Sequence, residues 1–272
     1  MKLMFFSKHL GELSVAEAGQ TIRALGFEGV DLTVRPRGHV LPENARSQLV
    51  DAVRTLSDLG LSVPLITTGL TSAGDPYATD IFEQAATAGV PNLKLGYWPY
   101  RGLGTIHAAV DSAAHALDGI EALAQKTGVR AVIHNHSGNY VSALPPIVWM
   151  LIKDRDPAAI GAYVDPGHMV VEGGLGGWKM GLDLLGERIA VAAFKDYLWD
   201  TEEDETGKPH LVRRGMPLQK GMVPWPEVVA MLQEAGFEGW ISVHREYGEQ
   251  TISAVRTEVP QDVAYLRSVL SA

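Results

Sequence analysis

The 272-residue sequence contains no cysteine, which removes disulfides, thiolate zinc sites and thiol nucleophiles together. Positive charge is scarce: 23 Lys and Arg stand against 32 Asp and Glu, a formal net charge of −9. A nucleic-acid surface needs a basic stripe that displaces phosphate counterions, and neither half of this chain resembles a basic arm. Long apolar runs are missing too. The start, MKLMFFSKHL, is too short in its apolar stretch for a signal-peptide core of about 7–15 residues. The longest runs elsewhere, 147–152 and 189–194, fall far below the ~20 residues of a membrane span. A soluble, cytoplasmic protein without membrane or nucleic-acid partners is expected. Neither a GxGxxG nor a GxxxxGK[ST] phosphate loop occurs.

Glycine is plentiful instead, with 29 residues and 15 prolines beside them, spread as punctuation between short elements. Strand-type runs fall at 2–6, 29–32, 63–67, 92–96, 130–134, 161–165, 189–195 and 240–244. Amphipathic helical stretches separate or follow them at 15–25, 43–59, 79–88, 106–127, 142–153, 178–185, 226–235 and 259–270. Ser14 and Glu17 form a capping-box pattern. Gly26, Gly60, Gly89, Gly128, Gly186 and Gly236 stand where a left-handed helix exit is wanted. LGFEGV (25–30) and AGFEGW (235–240) repeat one helix-to-strand joint, with Phe expected on the core. Eight strands alternating with helices, apolar on both faces, predict a single (β/α)8 TIM barrel over 1–272. The interval before the last strand is long. Its 197–225 segment holds the Glu202–Glu205 acidic run and reads either as a solvated excursion or as a lid over the barrel mouth.

Seven of the nine histidines, His9, His39, His134, His136, His168, His210 and His244, fall at or beyond predicted strand ends. In a barrel these places converge on the catalytic face, which suggests metal ligation or proton transfer. Period-2 alternation puts His134 and His136 on one face of strand five and Asn135 on the other. Strand six ends in Asp165 and, after a Pro-Gly turn, His168. On strand seven, Ala193 and Lys195 face inward if Phe194 faces the helices. Ser242, His244 and Glu246 share one face of strand eight. So many ionisable groups in one mouth are costly to desolvate without a metal or a bound polyol.

The order of these motifs resembles the sugar phosphate isomerase/epimerase group of xylose-isomerase-like TIM barrels, with its inosose isomerases and dehydratases and ketose 3-epimerases. The resemblance runs through LGFEGVDL, DPGH at 165–168, the Lys195–Asp196 pair and GFEGWISV. The stretch VDLTVRPRGHVLPEN (30–44) is similar to one bacterial subgroup described only as sugar isomerase/epimerase-like. The resemblance implies a divalent metal (Mn, Mg, Co or Zn) held by Glu, Asp, His and Glu from strands five to eight. Carried onto this chain, those positions are His134 in place of Glu, Asp165 as a match, Ala193 in place of His, and His244 in place of Glu. The implied ligands are therefore His134, Asp165 and His244, with Lys195 beside the lost ligand as an alternative cation.

The chemistry expected is proton abstraction next to a carbonyl of a sugar, keto-sugar or polyol substrate through a metal-stabilised enediolate. Lys195 would stabilise the developing charge, and His136, His168 and Glu246 are the candidate acids and bases. Trp98 and Arg101 are expected to form a wall and a clamp for substrate, with Asn135 as a further substrate contact. The alternatives are a keto-sugar or inosose dehydratase or lyase, and a non-catalytic sugar-binding barrel. A metal-dependent nuclease sharing this barrel is opposed by the −9 charge. Barrels of this group often pair, so a homo-oligomer is expected.

Overall fold

Eight short segments, buried along most of their length, form the parallel strands of a closed barrel, as strands enclosed between an inner plug and an outer helix layer must. A computed structural model describes residues 1–271, at Leu175 the backbone alone. The strands are β1 (Lys2–Phe6), β2 (Gly29–Val34), β3 (Ser62–Thr68), β4 (Asn92–Lys94), β5 (Arg130–His134), β6 (Ile160–Val164), β7 (Ile189–Phe194), β8 (Asp196–Glu203), β9 (Pro209–Met216) and β10 (Trp240–Val243). The barrel closes in the order β1-β10-β7-β6-β5-β4-β3-β2, and β8 and β9 pair separately as an antiparallel hairpin. The helices are α1 (Val15–Ala24), α2 (Ala45–Asp58), α3 (Ala78–Thr87), α4 (Ile106–Thr127), α5 (Pro145–Ile152), α6 (Pro166–Leu185), α7 (Trp225–Glu234) and α8 (Ile252–Leu270). No helix among the described residues is long and apolar enough to cross a membrane.

Side-chain alternation sorts the core into two layers. Met4, Leu65, Val132, Tyr163, Val191 and Ala193 fill the barrel interior. Phe194, one residue further, points outward and stacks on Trp225 at 4.3 Å between ring centroids. Lys195 therefore faces inward just above the plug, as its place after Ala193 and Phe194 predicts. Ile241 and Val243 join the outer layer, which turns Ser242 and His244 toward the interior.

The repeated joint has the geometry its sequence implies. Gly26 and Gly236 take φ of 87° and 72°, and the following Phe N–H groups reach back to Ile22 and Leu232 carbonyls. Phe27 and Phe237 are both buried. Ser14 and Glu17 form the reciprocal capping box.

Several boundaries differ from expectation. Helix α6 begins at Pro166 rather than 178, because Asp165 caps it and Pro166 occupies its first turn. The glycine-rich 173–177 stretch reads as a break, and Gly174 does depart from helical dihedrals inside α6. Helix α8 begins at Ile252, capped by the Thr251 hydroxyl, so Pro260 lies inside it instead of opening it. Gly186 has φ −15°, opening a short 3-10 turn rather than a left-handed exit. The fourth strand also stops at Lys94, two residues early.

Candidate active site

The mouth is organised around Asp165. Asn135 clamps its backbone: Asn135 Oδ1 accepts from the Asp165 N–H at 2.7 Å, and Nδ2 donates to the Asp165 carbonyl at 3.1 Å. Asp165 Oδ1 then accepts from the His168 N–H at 3.0 Å, closing the helix cap. Gly167 lets this turn lie against strand seven, since a Cβ there would stand 2.3 Å from the Lys195 carbonyl oxygen. This accounts for the DPG of the sequence motif. Asn135 is buried and fully engaged with backbone, so the substrate contact expected of it is replaced by a positioning one.

Asp165 Oδ2 is left pointing at nitrogens: His134 Nε2 at 3.1 Å, Lys195 Nζ at 3.2 Å and His168 Nε2 at 3.7 Å. Lys195 also pairs with Glu246 Oε2 at 3.2 Å, while Lys8 holds the other Glu246 oxygen at 3.1 Å. The Tyr197 hydroxyl donates to Glu246 Oε2 as well. Burial opposes the Lys195 charge, but the Asp165 and Glu246 carboxylates overcome it and hold the ammonium above the usual lysine value. Burial likewise works against the Glu246 carboxylate, but Lys195 together with His244, Lys8 and His9 outweighs it, keeping Glu246 well below its ordinary value.

The histidines are held neutral. Burial, then the nearby Lys195 charge, drive His134 and His168 well below the ordinary imidazole value and His136 down to about 4. They do not titrate near neutrality, contrary to what their residue type suggests. The Tyr97 hydroxyl donates to His134 Nδ1 at 2.9 Å, leaving His134 Nε2–H to donate to Asp165. His136 Nδ1–H donates to the Ser137 carbonyl at 2.9 Å, so its Nε2 keeps a lone pair. His168 Nδ1 lies 2.6 Å from Ser137 Oγ, which accepts from Arg213 of β9. The hairpin thus reaches into the mouth on one face. On its other face Arg214 pairs with Asp200 and Glu202 in solvent.

His244 belongs to a second network. Its Nε2 lies 3.0 Å from the Tyr163 hydroxyl and 3.1 Å from Ser242 Oγ. Both hydroxyls donate to Asp31, whose other oxygen accepts from Thr67 at 2.6 Å. Burial raises Asp31 from 3.8 to about 6. A raised carboxyl stabilises the fold below its unfolded value and loses that contribution as pH climbs through its folded value. Relative to Asp31→Asn, the unmodified chain should therefore lose on the order of 3 kcal/mol between about pH 4 and pH 6. Urea titrations of both proteins across that window check it; parallel stability curves would remove Asp31 as the source.

Above these groups lies a cavity of about 200 Å³, lined at the strand ends by side chains including His134, His136, Lys195, His244 and Glu246. That is small for a ligand pocket and suits a small polar molecule. His168 and Asp165 are buried beneath its wall, both 0% exposed. Of the other strand-end histidines, His9 and His39 hydrogen-bond to Gln250 and Thr33, and His210 is exposed on the hairpin. The convergence of seven is thus reduced to three at the cavity and one beneath it. Trp98 and Arg101 do not line the cavity: the Trp98 indole donates to the Thr71 carbonyl, and Arg101 lies exposed beside it on the rim. Tyr97 and Arg35 line it, and so do Lys94 and Tyr163, which had not been singled out as site residues. The signal for Lys94 was present, a charge inside the apolar run 92–96.

His134, Asp165 and His168 offer ligand atoms all within 4.8 Å of one another, a spacing that lets the group bind a metal. This is not the expected trio. His244 is engaged with Tyr163 and Ser242, its ring centroid 6.3 Å from that of His134, and His168 stands in its place. His168 Nε2, buried without a hydrogen-bond partner, fits a ligand role. The charges do not fit. Asp165 Oδ2 already carries the Lys195 ammonium, and Lys195 and Lys8 balance Asp165 and Glu246 one for one. A divalent ion among neutral imidazoles would add uncompensated charge to a buried site. Lys195 and a divalent ion would therefore compete for Asp165 Oδ2.

A closed (β/α)8 barrel whose strand ends collect buried ionisable groups around a small cavity is an enzyme-type barrel. Residues 20–269 match the model of the Xylose isomerase-like TIM barrel family, and the chain belongs to that family. In sequence it is 29% identical over 153 residues to an inosose dehydratase of Lacticaseibacillus casei, covering 52% of this chain. The chain spans about half the length of that relative, 49%. In fold it is similar to the 3-keto-D-glucoside 4-epimerase YcjR from E. coli, with TM-score 0.75, 13% identity and coverage of 98% and 99%. It is also similar to a xylose isomerase-like TIM barrel protein from Mycobacterium smegmatis in complex with magnesium, with TM-score 0.70, 18% identity and coverage of 99% and 97%.

Proposed function

We propose that the barrel mouth takes a sugar, keto-sugar or inositol-like ketone and removes a proton from the carbon beside its carbonyl, as an isomerase or epimerase. One observation carries this reading: a buried ammonium, Lys195, opens onto a small polar cavity lined by neutral imidazoles. Loss of that proton sends its electron pair toward the carbonyl oxygen, forming an enediolate. A fixed cation facing the oxygen stabilises that charge at no reorganisation cost. His136 is the base the geometry favours, because its Nδ1–H is engaged and its Nε2 lone pair is not. Glu246 is the second candidate, restrained by Lys195, Lys8 and Tyr197. Return of the proton to the neighbouring carbon gives an isomer; return to the opposite face gives an epimer.

Elimination of water is the second reading. The sequence relative is an inosose dehydratase. Among the described residues Glu246 is the sole carboxylate lining the cavity, so the glutamate pair implied by the family resemblance is missing. One base with a neighbouring acid suffices for elimination.

Incubation in deuterated water with ketohexoses, 3-keto-glucosides and inososes, followed by proton NMR, tests both. Deuterium entering beside the carbonyl in an intact sugar supports isomerase or epimerase chemistry, whereas a conjugated product that has lost water supports elimination. A turned-over substrate showing neither exchange nor elimination overturns the proposal.

A further inference from the structure

We propose that the substrate of this mouth is anionic, its carboxylate or phosphate held by Arg35 and Lys94 on the side of the cavity formed by β2 and β4. The inference rests on the reading of the cavity as the sugar site and adds the substrate's charge class.

The protein as a whole carries −9, yet the cavity has the opposite balance. Four basic side chains line it, Lys8, Arg35, Lys94 and Lys195, against one carboxylate, Glu246. Lys195 and Lys8 are accounted for by Asp165 and Glu246. Arg35 and Lys94 are not: neither forms an ion pair within 4.0 Å among the described residues. Lys94 is only 3% exposed, and a buried amine without an acceptor is costly unless something supplies one. Its Nζ lies 3.6 Å from the centroid of the Tyr97 ring, which steadies it without neutralising it. Arg35 lies against Phe6 at 5.6 Å.

Asp31 is the carboxylate that opposes their charge from behind the wall, but its two oxygens are committed to Thr67, Ser242 and Tyr163. Burial and Arg35 push Lys94 well below the ordinary lysine value, which is the strain an arriving anion relieves. An arginine fork and an amine lining the same cavity match the oxygens of a carboxylate or a phosphate. The arrangement keeps recognition apart from chemistry. The anionic end lies toward Arg35 and Lys94, and the carbonyl end toward Lys195, His136 and Glu246.

Isothermal titration calorimetry with D-gluconate, D-glucose 6-phosphate and D-glucose at constant ionic strength tests the assignment and separates carboxylate from phosphate. At least one anion should bind about tenfold or more tightly than glucose. Arg35→Gln and Lys94→Met should each reduce that preference to roughly threefold or less. Arg35 is half-buried, so its variant keeps the test open if Lys94→Met fails to fold. Equal binding of glucose and both anions overturns the proposal, as does a preference that survives in the folded variants. No anion binding up to about 20 mM overturns it too, since charge-assisted contacts of this kind bind more tightly than that. These outcomes are read without turnover, so they separate failure of the anion assignment from failure of the proton-transfer reading.

Discussion

Lys195→Met is expected to reduce turnover of any substrate found in the exchange assay by about 100- to 1,000-fold, the loss typical of removing one pre-organised charge stabiliser. It should also cost the fold about 3–5 kcal/mol, because it strands Asp165, wholly buried, and leaves Glu246 with Lys8 alone. Urea denaturation reads the second effect without a substrate. A third consequence follows from charge. With the ammonium gone, Asp165 Oδ2 is free beside His134 Nε2 and His168 Nε2, and the site is left with one uncompensated negative charge to offer a divalent ion. The variant should retain manganese through gel filtration and be stabilised by it in thermal melts, while the unmodified protein should gain nothing from manganese and lose nothing to a chelator. A variant as stable and active as the parent would remove Lys195 from the centre of the site. Stoichiometric metal in the unmodified protein would show that the ammonium and an ion coexist.

This prediction depends on a position readable in the chain. The alternation through Ala193, Phe194 and Lys195 fixes which side chain faces the interior, because a strand offers only two faces. The same reasoning places Ser242 and His244. It fails where a side chain turns to satisfy backbone. Asn135 lies at a strand end among site residues, yet both ends of its amide are taken by Asp165. Nothing in local sequence distinguishes that use from substrate contact. The ligand trio has a similar cause: His244 follows the right strand, but Tyr163 and Ser242, from strands six and ten, hold its Nε2. The Tyr163 pairing joins residues 81 apart in the chain and becomes visible only when the barrel closes. Asp31 and Lys94 are intermediate cases. Each is a charge within an apolar strand, a conflict between local pattern and composition that points to a functional position.

Asp196→Ala should be the most damaging change outside the mouth, lowering stability by roughly 4 kcal/mol. Asp196 follows Lys195 directly and has the opposite task. Its Oδ1 accepts backbone N–H groups from Tyr197 at 2.7 Å, Met222 at 2.8 Å and Val223 at 3.1 Å, and Oδ2 accepts from the Trp225 indole at 2.8 Å. One carboxylate therefore ties the exit of strand seven to the returning chain beyond the hairpin and to the start of α7. The fit is close, since a Cβ on Gly221 would stand 2.0 Å from the Asp196 carboxyl. Truncation leaves four donors to find other partners at about 1–3 kcal/mol for each that stays buried and unpaired. Asp196→Asn keeps an oxygen for the three backbone groups and sets its amide against the indole N–H, so about 2 kcal/mol is expected. Burial raises the Asp196 carboxyl to about 7, so its stabilising share is largest below the unfolded value and fades as pH rises through 7. Denaturation of the three proteins at about pH 5 and pH 8 should therefore show a smaller gap between parent and Asp196→Asn at the higher pH. Because the hairpin carries Arg213 to Ser137, loosening its base should also release His168 from its Ser137 partner. The His168 ring signals would then move in NMR spectra of Asp196→Asn even where the barrel stays folded, and unmoved signals would separate the hairpin's anchor from the site.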